Sequence, residues 1–165
     1  MNKQKQVNNT TDHVIVAENV TKTYDNGRIK VTALNEVTLT VNRGEMVAVM
    51  GPSGCGKTTL LNCLSGLDDI NSGTVKINNT ELSTMSDKIK TKYRAQRMGY
   101  IFQAFNLLPV LTARENVEMP LLVSGTTSKE AKESAENALD LVGLSGWMEH
   151  YPAELSGGQI QRVTV

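Results

Sequence analysis

Apolar and polar positions divide the chain into a β-rich first half and a helical second half. Val14, Ile15 and Val16 open a strand. Residues 31–41 then alternate, with Val37, Leu39 and Val41 on one face and Thr38 and Thr40 on the other. That period of two predicts a half-buried antiparallel strand. Between the two runs stands Thr23-Tyr24-Asp25-Asn26-Gly27, and Asn-Gly in that setting predicts a hairpin turn. Asn42-Arg43-Gly44-Glu45 leads into Met46-Val47-Ala48-Val49-Met50. An unbroken apolar run of this kind predicts a buried strand of a parallel sheet. Leu60, Leu61, Leu64 and Leu67 recur at helical spacing. Residues 69–73 predict a turn, and Thr74-Val75-Lys76-Ile77-Asn78 an edge strand. Residues 83–96 predict a short polar helix, and Gly99-Tyr100-Ile101-Phe102-Gln103 a strand ending on a polar residue.

Past residue 105 the pattern turns helical. Thr112-Ala113-Arg114-Glu115 and Thr127-Ser128-Lys129-Glu130 both have capping-box spacing. After the second, Ala131, Ala135, Ala138, Leu139 and Val142 form one apolar stripe, and Gly143 suits a helix C-cap. The expected organisation is a disordered polar tail over residues 1–12 and one domain over 13–165. Within it, an antiparallel β subdomain and a P-loop core fill 13–105, a helical subdomain fills 106–155, and a further helix starts at 156–165.

Composition acts by exclusion. A chain of 165 residues fits one domain. Its 17 basic and 17 acidic residues leave no net charge, which argues against a nucleic-acid partner held by bulk electrostatics. No apolar run approaches the roughly 20 residues of a membrane span. The first residues lack the apolar core of a signal peptide. The chain is therefore expected in the cytoplasm, meeting a membrane through a partner. Cys55 and Cys63 lie eight apart without nearby histidines, so they predict no metal site.

The candidate chemistry begins at Gly51-Pro52-Ser53-Gly54-Cys55-Gly56-Lys57-Thr58, which fits G-x-x-x-x-G-K-[ST] at every fixed position. Glycines let the backbone wrap a phosphate and aim its N–H groups inward. Lys57 adds a point charge for the terminal phosphates, and the hydroxyl of Thr58 is placed to ligate Mg²⁺. An apolar run before the loop and helical spacing after it put the phosphate at a helix N-terminus, where free N–H groups and the dipole favour it. Nucleoside triphosphate binding follows. Farther on, Leu155-Ser156-Gly157-Gly158-Gln159 reads as a helix start, with Ser156 and Gln159 at capping-box spacing. Two glycines behind the cap make it a second possible anion site; a plain helix cap is the alternative. Gln103 reads as a strand-end functional residue or a surface glutamine, and Tyr24 as an ordinary strand aromatic.

Taken together, these residues resemble the ABC ATPase family, the nucleotide-binding domains of ABC transporters. Leu155-Ser156-Gly157-Gly158-Gln159 is similar to that family's signature, Gln103 to its Q-loop glutamine and Tyr24 to its adenine-stacking aromatic. The fold implied is α/β: a P-loop core with a parallel sheet, an N-terminal antiparallel β subdomain and a helical insertion. Tyr100-Ile101-Phe102-Gln103-Ala104-Phe105-Asn106-Leu107-Leu108-Pro109, with residues 112–120, narrows the resemblance to the branch serving lipoprotein release, macrolide export and peptide resistance. A cell-division ATPase is a close relative.

The resemblance implies ATP and Mg²⁺ as cofactors, a head-to-tail homodimer and a membrane permease as partner. The location it implies is peripheral, at the inner face of the cell membrane. ATP would be held by Tyr24, Gly51, Pro52, Ser53, Gly54, Cys55, Gly56, Lys57, Thr58, Thr59 and Gln103, and closed over in trans by Ser156, Gly157, Gly158 and Gln159. Thr58 and Gln103 would serve the metal. The chain stops at Val165, before the family's Walker B strand with its catalytic Glu, the D-loop and the switch His. It is therefore expected to be a C-terminally truncated domain in which Lys57 and Gln103 are supporting residues and the general base is missing. The full-length protein would be an ATPase; this length alone would bind nucleotide poorly and hydrolyse none at a useful rate. ABC proteins of DNA repair carry a very long coiled coil between the two motifs, and residues 59–154 show no sustained heptads. Those of translation carry two cassettes, and there is one P-loop here.

Overall fold

A computed structural model describes residues 12–165. The expected tail lies outside the described residues except for Asp12, which is anchored. Its carbonyl accepts from the Arg43 N–H at 2.9 Å, and its carboxylate pairs with the Arg43 guanidinium at 2.6 Å. The chain forms two compact units that divide after Lys90, fifteen residues before the boundary expected from sequence.

The first unit is built on a long hairpin. β1 (His13–Asp25) pairs antiparallel with β2 (Lys30–Asn42), in a register that sets Tyr24 against Val31 and Val16 against Thr40. The Asn26-Gly27 turn is held by side chains. Asp25 accepts from the Gly27 N–H, and Asn26 from those of Arg28 and Ile29. α1 (Lys57–Leu64) follows the glycine-rich loop. β3 (Ser72–Ile77) pairs with β1, and the two-residue β4 (Thr80–Glu81) closes the order β2-β1-β3-β4. β3 is thus flanked on both sides, although β4 covers only its end. Ala17, Val20, Leu34, Val75, Ile77 and Leu82 are buried, as are Leu60, Cys63 and Leu64 of α1. Leu61 is exposed on the other face of α1, and Leu67 is exposed beyond the helix end at Leu64, where the chain reverses at Gly66 with φ 66°.

The expected parallel strands are not formed among the described residues. All pairs in the sheet are antiparallel, and residues 45–50 and 98–102 carry no strand. Met46 is 98% exposed and Met50 88%. The physical reason is that a strand exists only as a ladder. An apolar run supplies only one side of it, and neither run belongs to the four-stranded sheet of the described residues.

α2 (Asp87–Arg97) carries the chain through the division. In the second unit, α3 (Ala113–Ser124) and α4 (Ser128–Leu141) both start with the expected capping boxes. Thr112 Oγ1 accepts from the Glu115 N–H, and Glu115 answers by accepting from the Thr112 N–H at 2.8 Å. α4 buries Ala131, Ala135 and Leu139, while Ala138 is exposed, one step outside the stripe. Gly143 terminates it with φ 70°, the left-handed turn expected of a C-cap glycine. Two 3-10 turns, Ser145–Trp147 and Pro152–Glu154, lead to α5 (Gly157–Thr164). Ala113, Leu139, Leu144, Leu155 and Val163 form the core of this unit. Arg114 ties it across the surface. Its guanidinium pairs with Glu118 one turn on and with Glu149 at 2.8 Å, and these partners hold its pKa above the ordinary value.

Candidate functional site

The glycine-rich loop owes its path to backbone conformations that side chains resist. Gly54 and Gly56 have φ of 80° and 92°. Gly56 also lies so close to β2 that a Cβ there would meet the Ala33 carbonyl oxygen at 2.5 Å. Glycine is required twice over at this position, by angle and by space. Gly56 is also the N-cap of α1 and, having no side chain, caps nothing. The first-turn N–H groups of α1 thus open onto the loop without a side-chain cap.

Lys57 closes the loop from inside. Its Nζ donates to the carbonyls of Gly51 at 2.9 Å and Pro52 at 2.7 Å, and lies 3.6 Å from Cys55 Sγ. Thr58 is exposed at the start of α1. One ammonium, an uncapped helix start and adjacent hydroxyls form a donor set that fits a triphosphate. The described residues hold no cluster of three or more His, Cys, Asp or Glu able to bind a metal. A cation accompanying the phosphates would have only hydroxyl oxygen from this loop, with its other ligands from phosphate and water.

Tyr24 stands beside this loop. Its phenol donates to Asp68 Oδ2 at 2.7 Å and lies near Thr59, in the first turn of α1. Tyr24 is 43% exposed. Lys22 and Asp68, which sequence did not single out, meet at this ring. Lys22 Nζ donates to Asp68 Oδ1 at 2.5 Å and sits 4.9 Å from the ring centroid. Lys22 carried one local signal, its position two residues from Tyr24 on the same strand face. Asp68 carried none.

The remaining candidates lie in the second unit. Gln103 is exposed in a tight turn, in which the Phe105 N–H donates to the Phe102 carbonyl at 3.1 Å. Phe105 and Asn106 follow in the left-handed region. Gln103 is thus a turn residue, not the end of a strand. Ser156 caps α5, and its N–H donates to Gln159 Oε1 at 2.7 Å. Ser156, Gly157 and Gly158 are exposed. A Cβ on either glycine would meet nothing within 4 Å, and both are helical.

The model of the ABC transporter family matches residues 34–165. An uncharacterized ABC transporter ATP-binding protein of Thermotoga maritima is 47% identical over 146 residues, covering 88% of this chain and 62% of the relative. The lipoprotein-releasing system ATP-binding protein LolD of Saccharophagus degradans is 45% identical over 152 residues, covering 92% and 67%. Among solved structures, the dimeric post-hydrolysis state of the ATP-binding cassette MJ0796, bound to ADP and Pi, superposes with a TM-score of 0.84. It is 42% identical and covers 91% of this chain and 66% of that one. The chain thus spans about two thirds of the length of its relatives, and the whole-chain likeness is to proteins that handle a nucleotide.

Proposed function

The chain belongs to the ABC transporter family, and from that membership we propose that it is the ATP-binding part of a membrane transport complex, of the branch that exports or handles lipoproteins and peptides. One observation carries the reading: a lysine ringed by the carbonyls of a glycine loop that only glycine can form, at an uncapped helix start. In this reading ATP displaces the loop carbonyls as the partner of Lys57, its phosphates lie along the first turn of α1, and Tyr24 stacks on the base. Thr58 would hold Mg²⁺ through its hydroxyl, and the ion would offset the phosphate charge. In the whole protein, ATP hydrolysis drives a permease, and the cassette sits at the inner face of the membrane through that partner. The described residues contain no helix long and apolar enough to cross a membrane.

The signature acts on a second copy. Gly157 and Gly158 lie in open space and in ordinary helical conformation, so nothing around them in this chain calls for glycine. Each costs helix propensity relative to Ala, about 1 kcal/mol in a helix interior. A partner's phosphate approaching the backbone gives that cost a reason. Gln103 adjoins an apolar groove of about 580 Å³ in the second unit, lined by Phe102, Phe105, Leu108, Met119 and Leu141 among others. That groove supports this unit as the permease-facing side.

ATP titration of the chain tests the reading. Lys57→Ala is expected to abolish binding, since the loop has no other cation. Ser156→Arg is expected to leave binding intact and to remove ATP-induced self-association, because its bulk fills the space a partner's γ-phosphate enters. Binding that survives Lys57→Ala would overturn the site. Loss of ATP by a folded Ser156→Arg monomer would overturn the trans arrangement.

A further inference from the structure

The ring of Tyr24 is held at two points. Its tip donates to Asp68 Oδ2 at 2.7 Å. One side faces the ammonium of Lys22, 4.9 Å from the centroid, and that ammonium is fixed by Asp68 Oδ1 at 2.5 Å and the Asp69 carbonyl at 2.6 Å. Lys22 is largely buried, with 12% of its side chain exposed, so this seat is not a passing surface contact. One carboxylate thus fixes both the ring and the cation beside it. The residue is 43% exposed, and Thr59 in the first turn of α1 lies near its phenol.

We propose that Asp68 is a positioning residue for base recognition: with Lys22, it locks Tyr24 in one orientation beside the phosphate loop, so that the base of a nucleotide meets a preformed stacking surface. The inference rests on the nucleotide reading above and on Tyr24 as its stacking ring. The physical gain is preorganisation. A ring free to turn would have to be ordered when the base binds, which weakens binding. A ring already clamped avoids that loss, and a cation against one side leaves the base a single approach.

Isothermal titration of the 165-residue chain with ATP and with inorganic tripolyphosphate separates the base from the phosphates. Tyr24→Ala is expected to weaken ATP about tenfold, the scale of one base–aromatic stack, and to spare tripolyphosphate. Tyr24→Phe and Asp68→Ala break the same hydrogen bond from its two ends. Each is expected to weaken ATP about threefold to fivefold, to spare tripolyphosphate and to be non-additive in the double variant. Should Asp68→Ala fail to fold, Tyr24→Phe carries the test alone. If both leave ATP affinity unchanged while Tyr24→Ala still weakens it, the positioning role is overturned and stacking stands. Equal losses for both ligands also overturn it, since Asp68 would then serve the loop or the fold. No effect of Tyr24→Ala on ATP overturns the stacking itself and the inference with it. A chain that holds neither ligand overturns the nucleotide reading.

Discussion

At the scale of single residues, Asp68 shows how charge and burial compete. Burial pushes its carboxyl up, but hydrogen bonds from Lys22 and Tyr24 outweigh it and hold the group below the usual carboxylate range. Burial likewise works against the Lys22 ammonium, and Asp68 reverses that, raising it above the ordinary lysine value. The Tyr24 phenol is raised chiefly because its proton is held by Asp68. Each sign sets one edge of a pH window. A depressed carboxylate contributes stability that is complete above its unfolded pKa, about 4, and is lost as pH falls through the lower folded value. A raised lysine or tyrosine contributes stability that is complete below about 10 and is lost as pH rises through the higher folded value. Glu149, depressed by the hydrogen bond from Arg114, adds to the acid edge. The thermal midpoint should therefore fall with acid below about pH 4. Asp68→Asn should have a lower midpoint at pH 7 and a flatter acid limb. Parallel acid limbs for the two proteins would remove Asp68 from the cluster. Gly56 and Lys57 were legible in sequence, because their chemistry lies within eight consecutive residues. Asp68 was not, since it reaches Tyr24 across 44 positions and only folding makes that contact.

At the scale of elements, what could be read was what is local. The capping boxes of α3 and α4, the Asn26-Gly27 turn and the Gly143 reversal each close within four or five residues, and all are present. The strands expected at residues 46–50 and 99–103 are absent because an apolar run carries no record of which neighbour will pair with it. The start of α5 shows the opposite case, a local choice that its own element does not explain. Replacing Gly157 and Gly158 by Ala should leave the thermal midpoint unchanged or higher, by up to about 1 kcal/mol per site, since both added methyls enter open space. The same variant should lose ATP-induced self-association. A clear drop in midpoint would show that the glycines serve the helix and not a partner.

At the scale of the molecule, membership of the ABC transporter family was legible because its motifs are spread along the chain in a fixed order, and the family model matches 132 residues, 34 to 165. The division after Lys90 was not, since units are defined by contacts that no composition shift marks. Residues 46–50 also govern how the chain behaves in company. Five consecutive apolar side chains are exposed there, and their backbone is not part of the sheet. The chain carries no net charge at pH 7 to keep copies apart. A sticky, unpaired segment on a particle without electrostatic repulsion is a colloidal liability, because a second copy can add to it as a strand. Light scattering should rise with concentration near neutral pH and subside as pH moves the net charge away from zero. Met46→Lys should raise the soluble limit without lowering the thermal midpoint, since this side chain is 98% exposed and gives up almost no packing. Equal scattering from both proteins would mean that the attraction lies elsewhere; a difference would mean that the limit on handling this protein is set by five residues that lie outside its sheet.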